Sequence, residues 1–312
     1  MIVNDPTPPA TAPRRNEAAT AYLLLTFTAL LWGGNAVAGK WAVGEVSPQV
    51  LTTLRWVLAF AALIAFTGRR SISDLPRLRP HWLYVLLMGA TGFTAFASLF
   101  YIAGETTSAL NLALIQGLIP VLVVLINLAV SRIGVTSGQA VGLVITLFGA
   151  VVATTHGDWA VLKTLSFKFG DALMVAACLL YAGYAVALAR RPKVAGLTFF
   201  TALSAAAALT SFVPLAAEWA SGHLQWPTPR GWLIVAYVAL GPTLVGQLLF
   251  IRGVEMIGPN RAGLFVNLVP VFGAMLAVLV AREAFGPTEA LALILVLGGI
   301  AIAERFRARP AP

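Results

Sequence analysis

Apolar residues in this chain come in runs of about twenty, broken by short polar or Pro/Gly punctuation. A helix rises 1.5 Å per residue, so a hydrocarbon layer about 30 Å thick takes roughly 20 helical residues. The punctuation leaves ten such runs, at 21–40, 48–67, 82–103, 107–130, 136–155, 170–190, 196–219, 231–252, 259–281 and 287–305. The breaks include "GEVSPQ", "GRRSISDLPRLRP", "SRIGVTSG", "SGHLQWPTPR" and "AREAFGPT". A backbone in lipid has to satisfy its own hydrogen bonds, so each run predicts one spanning helix. The expected fold class is an all-α integral membrane protein with ten transmembrane helices. Residues 1–20 are Pro-rich and polar and read as a disordered cytoplasmic tail. Arg14 and Arg15 ahead of the first run superficially resemble a secretory leader. That run is too long for a leader's apolar region, and further spans follow, so it reads as a retained first span.

Composition agrees with the pattern. The chain of 312 residues is 59% hydrophobic and 11% charged, where soluble domains carry roughly 25% charged residues. A mean hydropathy of +0.86 over this length does not fit inside one globular core. The single cysteine, Cys178, permits no intrachain disulfide and no cysteine-based metal site. The net charge of +9 is not gathered into a polar, aromatic-interleaved segment, which excludes a nucleic-acid reading. Its distribution has another meaning. With the N-terminus placed inside, the inner loops and tails hold 15 Lys/Arg and the outer loops hold 5, while Arg55 lies within a span. That bias predicts a multi-pass inner (plasma) membrane protein with both termini cytoplasmic.

Shifting the sequence by 150 positions superimposes it on itself. Trp82 falls on Trp232, Phe100 on Phe250, Glu105 on Glu255, Pro120 on Pro270 and Gly149 on Gly299, with no gap from about 81 to 153. Upstream, Trp32 and Gly34 fall on Tyr181 and Gly183 at an offset of 149. The expected organisation is a first five-helix repeat at 21–155, an outer linker at 156–169, a second repeat at 170–305 and a cytoplasmic tail at 306–312. Five spans is an odd number, so the second repeat enters the membrane from the opposite side. Inverted repeats characterise alternating-access transporters, whose substrate lies near the midplane between the repeats.

A few polar or helix-breaking residues interrupt the apolar runs. Pro120 and Pro270 read as mid-span kinks. Each frees the carbonyl four residues earlier, on Gln116 and Val266, and each follows an amide, Gln116 or Asn267. Gly241 and Pro242 break the eighth span and fall on Thr91 and Gly92; a hinge and a packing kink both fit. Arg55, seven residues into the second span, is about 10 Å from its start. An arginine there is costly and is expected to be paired or functional; snorkelling or a structural tie to carbonyls is the alternative. Lys40 reads as an interface lysine at the outer end of the first span, or else as a ligand for a substrate carboxylate. No Asp, Glu or His is clearly mid-membrane, so tight proton coupling is not expected. No nucleotide loop, hydrolase elbow or metal-ligand spacing occurs, so neither an enzyme nor a cofactor is expected. Trp32, Tyr181 and Tyr184 lie within spans beside glycines, and Phe93 and Tyr101 flank the third span; these could form a stacking pocket or simply pack.

The stretches "LLWGGNAVAGKW", "SPQVLTTLRW" and "RAGLFVNLVPVFGAMLAVLVAREAFGPTEALALILVLGGIAIA" resemble the EamA-type branch of the drug/metabolite transporter superfamily. Trp32, Gly33 and Asn35 match its tryptophan–glycine–asparagine element, and Lys40 its following lysine. Pro48 and Arg55 match the second span, and Pro270 and Glu283 the ninth; Ile133 departs from the acid at Glu283. The resemblance implies two inverted five-helix repeats and export of amino acids or other small metabolites, and looks most like the aromatic and neutral amino-acid exporters. The expected protein is a broad-specificity amino-acid exporter, functional as a monomer in the lipid bilayer. Asn35, Gln116 and Asn267 would bond the substrate's polar ends, with Trp32, Tyr101, Tyr181 and Tyr184 around its side chain. Lys40, Arg55, Pro120, Gly241, Pro242 and Pro270 would gate or support. Export of a nucleoside, sugar or drug-like cation is the alternative; a membrane enzyme or a channel is the remotest.

Overall fold

A computed structural model describes residues 15–68, 72, 74–107, 112, 115–131, 135–155, 157–160, 168–257, 262, 265–266, 268–281 and 286–306. These residues form ten helical rods and, among them, no strand: α1 (Arg15–Trp41), α2 (Pro48–Thr67), α3 (Leu75–Thr106), α4 (Ile119–Ser131), α5 (Ser137–Thr155), α6 (Phe169–Ala187), α7 (Gly196–Ala220), α8 (Pro229–Ile257), α9 (Leu268–Ala281) and α10 (Pro287–Arg305). Six of them, α1, α2, α3, α6, α7 and α8, are long and apolar enough to cross a membrane by length and composition; apolar stretches of 10–17 residues lie in α4, α5 and α10.

Local chemistry sets several of the ends. Pro48 opens α2 and Pro229 opens α8, at the position where a missing N–H costs nothing. Thr228 caps α8 by accepting the Gly231 N–H at 3.0 Å. Ser47 does not cap its own helix. Its hydroxyl donates to Glu218 Oε2 at 2.6 Å, and Glu218 Oε1 accepts the Gln49 N–H at 3.1 Å. A carboxylate near the end of α7 therefore caps α2, where the helix dipole favours negative charge. One expectation changes here. Pro120 is the second residue of α4, directly after a turn at Gly117–Leu118. The fourth span is broken before the proline and not kinked at it, because a first-turn proline needs no N–H partner.

Helix pairing follows a rule. α1 packs on α8 and α9, and α6 packs on α3 and α4; α2 packs on α8, and α7 on α3; α2 pairs with α7, and α5 with α10. Exchanging each helix with the one five places along returns the same set, as an inverted repeat with a two-fold pseudo-axis requires. The two sequence repeats are consequently not two lobes. The first helices of each dock on the third and fourth of the other. The pairing needs close approach: a Cβ on Gly33 would lie 2.7 Å from the Gly273 backbone nitrogen on α9, the kind of contact small residues permit between helices in lipid.

The α1–α2 and α7–α8 loops meet at one end of the bundle. There Ser47 N donates to Gln225 O at 3.1 Å, Thr228 N donates to Glu45 O at 2.9 Å, and the Thr228 hydroxyl bonds the Glu45 carboxylate. Arg230 adds an ion pair with Glu45 at 3.6 Å. At the opposite end, Thr136 ahead of α5 donates to the Phe306 carbonyl beyond α10, which makes that helix pair antiparallel.

Candidate functional site

The polar groups inside the bundle converge on Arg55 of α2. Its Nε donates to Thr243 Oγ1 of α8 at 2.9 Å, and its Nη1 donates to Tyr101 Oη of α3 at 2.8 Å. Tyr101 Oη in turn donates to Asn35 Oδ1 of α1 at 3.2 Å, and Thr243 Oγ1 donates to Val238 O at 2.7 Å. One connected network thus joins four helices and both repeats. Tyr101 and Thr243 are buried, and Arg55 and Asn35 are half-buried. The guanidinium also lies 5.2 Å from the Trp56 ring centroid and 5.9 Å from that of Tyr101.

The bond from Thr243 to Val238 spans five residues because α8 is π-helical over Ala239–Val245. Pro242 lies in that turn without an N–H to give, and widening the turn accommodates it. α3 has a π-helical segment at the matching place, Ala90–Ala95. The Trp32 indole N–H of α1 donates to Pro242 O at 2.9 Å, while its ring lies 5.3 Å from Phe250. Gly92 on the other π segment lies against Tyr184 of α6, where a Cβ would sit 2.3 Å from the ring. Each π segment therefore receives an aromatic side chain from the first helix of the other repeat.

Aromatic rings form an arc that starts and ends beside Arg55. From Tyr101 it passes to Phe100 at 5.4 Å, Phe96 at 6.1 Å, Tyr181 at 5.0 Å, Tyr184 at 5.6 Å, Phe93 at 5.5 Å and Trp56 at 4.5 Å, the last pair stacked at 4°. Tyr101, Tyr181 and Tyr184 were legible in the sequence as in-span aromatics. Trp56, Phe96 and Phe100 were not singled out, although Phe93, Phe96 and Phe100 stand at i, i+3 and i+7 on one face of α3. Thr243, which lies within the π turn, had no signal in the sequence that marked it as a partner of Arg55.

The other expected residues are placed as follows. Lys40 Nζ donates to Gly104 O at 2.7 Å and Thr107 O at 2.9 Å. It holds carbonyls at the end of α3 that the helix leaves unpaired. Gln116 is half-buried in a helical turn just ahead of α4. Gly241 lies in ordinary contact with the Tyr237 ring, 3.4 Å from a Cβ built on it. Pro270 lies in α9. Asn267 and Glu283 lie outside the described residues. A cleft of ≈ 10 Å³, lined by Gly39, Ala42, Val46, Leu51, Tyr101 and Glu105 among others, adjoins the network at Tyr101. It has room for about one water. Among the described residues no group of His, Cys, Asp and Glu could hold a metal ion.

Comparison with known proteins gives a consistent picture. The profile of the EamA-like transporter family matches the chain twice, at residues 19–155 and 168–304. An uncharacterized transporter of Bacillus subtilis, YyaM, is 26% identical over 80% of this chain and 82% of its own length. The aromatic amino acid exporter YddG of Ancylobacter novellus is 28% identical over 92% of this chain and 98% of its own. A solved crystal structure shares the fold with a TM-score of 0.68 at 23% identity, covering 91% of this chain and 96% of the other.

Proposed function

Since the chain belongs to the EamA-like transporter family, we propose that it exports aromatic and other neutral amino acids across the inner membrane by alternating access. The observation that carries this reading is the arc of aromatic rings closing on Arg55, an apolar stacking surface beside one charged, hydrogen-bonding centre. Likeness to an aromatic amino acid exporter supports it. Both termini are cytoplasmic in this reading, supported by the excess of Lys and Arg in the loops on that side. The braced end with the α1–α2 and α7–α8 loops is then the outer end. In this reading the loops that meet there close the bundle on its outer side. The substrate's polar groups meet Asn35 and Gln116, and its side chain meets Tyr101, Tyr181 and Tyr184. Trp32 borders the site from α1 and steadies the Pro242 turn. Lys40, Pro120, Gly241 and Pro270 support the frame that moves. The protein works as a monomer, performs no catalysis and takes no cofactor.

Counterflow in proteoliposomes tests the proposal. Unlabelled phenylalanine, tryptophan or leucine inside should accelerate uptake of the labelled amino acid. No exchange above protein-free vesicles for any amino acid, together with exchange of a nucleoside, sugar or organic cation, would overturn it.

A further inference from the structure

The polar network has a direction, and its direction identifies what it lacks. Arginine donates and never accepts. Tyr101 Oη must therefore accept from Arg55, and its own proton goes to Asn35 Oδ1. Thr243 Oγ1 likewise accepts from Arg55 and passes its proton to Val238 O. Two nitrogen groups of the network are left without any bond. Among the described residues, neither the Nη2 of Arg55 nor the side-chain NH₂ of Asn35 has a partner. Both are donors. No described carboxylate pairs with Arg55, and both of its hydrogen-bond partners are neutral.

The repeat-related position does not carry that charge. At the offset of 149 that relates the two matched repeats, Arg55 falls on Ser204 of α7. Ser204 is 0% exposed and its hydroxyl has no partner. The equivalent place in the second repeat thus packs with a small neutral residue. Lys40, the other cation near the network, has two carbonyls and cannot serve in the same way.

We infer that Arg55 and Asn35 form a carboxylate-binding subsite, so that the transported molecule carries a carboxylate placed to let its apolar part reach the Trp56–Phe93 stack. The inference rests on the transport reading and sharpens it. A planar guanidinium edge and an amide NH₂ suit the two oxygens of one carboxylate. The Trp56 ring, 5.2 Å from the guanidinium and stacked on Phe93, is 6% exposed in this conformation, so the apolar part of the substrate meets this stack when the site opens. No acid among the described residues sits in this network to receive an ammonium. The carboxylate is therefore the group that determines binding, and the amino group contributes less.

Three related compounds separate these contributions: phenylalanine, 3-phenylpropanoate, which keeps only the carboxylate, and phenethylamine, which keeps only the ammonium. In counterflow of labelled phenylalanine, 3-phenylpropanoate should compete within about tenfold of phenylalanine itself, and phenethylamine about 100-fold more weakly, as expected when a buried charge loses its partner. Arg55→Gln should raise KM about 100-fold and abolish the preference of acid over amine, a change that a purely structural arginine would not produce. Asn35→Asp gives Arg55 an internal carboxylate. It should raise the melting temperature and remove the stabilisation of the purified protein by 3-phenylpropanoate. The melting measurement also separates the two readings. If no amino acid is exchanged, the export proposal fails, while stabilisation by 3-phenylpropanoate and not by phenethylamine still supports the subsite. Equal competition or equal stabilisation by acid and amine, or an Arg55→Gln protein that keeps the preference, overturns it.

Discussion

At the scale of single residues, the structure separates glycines that look alike in sequence. Gly33 faces backbone, with a built Cβ 2.7 Å from Gly273 N, whereas Gly183 has nothing within 4 Å of a built Cβ. Gly33→Ala should cost about 1–3 kcal/mol through overpacking against a main chain that has no rotamer to change. Gly183→Ala should be neutral or slightly stabilising. Melting of the two variants in detergent checks the contrast. Lys40 is a second case. Lys40→Met keeps the length and removes the charge, leaving the Gly104 and Thr107 carbonyls without that donor. A loss of about 2 kcal/mol is expected, the usual size for hydrogen bonds to a charged group. A melting temperature equal to that of the parent would mean the tie is dispensable. The sequence showed that Lys40 stood at a span end but not which carbonyls lay opposite, because these belong to a helix 64 residues away.

At the scale of elements, the paired π segments are the places where helices depart from regular geometry. Ala90–Ala95 and Ala239–Val245 sit mid-rod in α3 and α8 and are met by Tyr184 and Trp32 from the opposite repeat. The Gly241–Pro242 break was visible in the sequence, and so was its alignment with Thr91–Gly92; the π turn itself was not. It accommodates Pro242, which has no N–H to give, and is held by the indole N–H that bonds Pro242 O. Pro242→Ala removes a helix penalty of about 3 kcal/mol and lets α8 relax toward regular α-helix. The variant should melt higher yet exchange substrate more slowly, the trade expected where a strained turn serves motion. Higher stability with an unchanged counterflow rate would argue that the turn is only packing.

At the scale of the whole molecule, closure at the braced end depends on a few cross-repeat bonds. Glu218 of the second repeat holds both Ser47 and Gln49 of the first, and Ala42, 4% exposed, lines the small cleft beneath. In a Cys178→Ala background, Ala42→Cys should react slowly with a membrane-impermeant maleimide added outside. Adding Glu218→Ala should speed labelling about tenfold, the change expected if one charged cap worth about 1.4 kcal/mol biases closure. Equal labelling rates would show that the braced end is held by something else.

The sequence alone determined the ten spans, the alternation of basic loops and the duplication. Each depends on a property read along the chain: how many apolar residues lie between breaks, which loops carry Lys and Arg, and which positions recur about 150 residues apart. Lipid makes these signals strong, since a spanning segment must be long, apolar and internally hydrogen-bonded. Other features were decided only by tertiary structure: the exchange of helices between repeats, the partners of Arg55, the cap made by Lys40 and the break ahead of Pro120. A helix that is apolar on all sides does not mark which face meets a neighbour, because lipid tails and leucine side chains are equally acceptable company. Partners across such an interface are set by shape and by a few hydrogen bonds, and both arise only when distant spans come together.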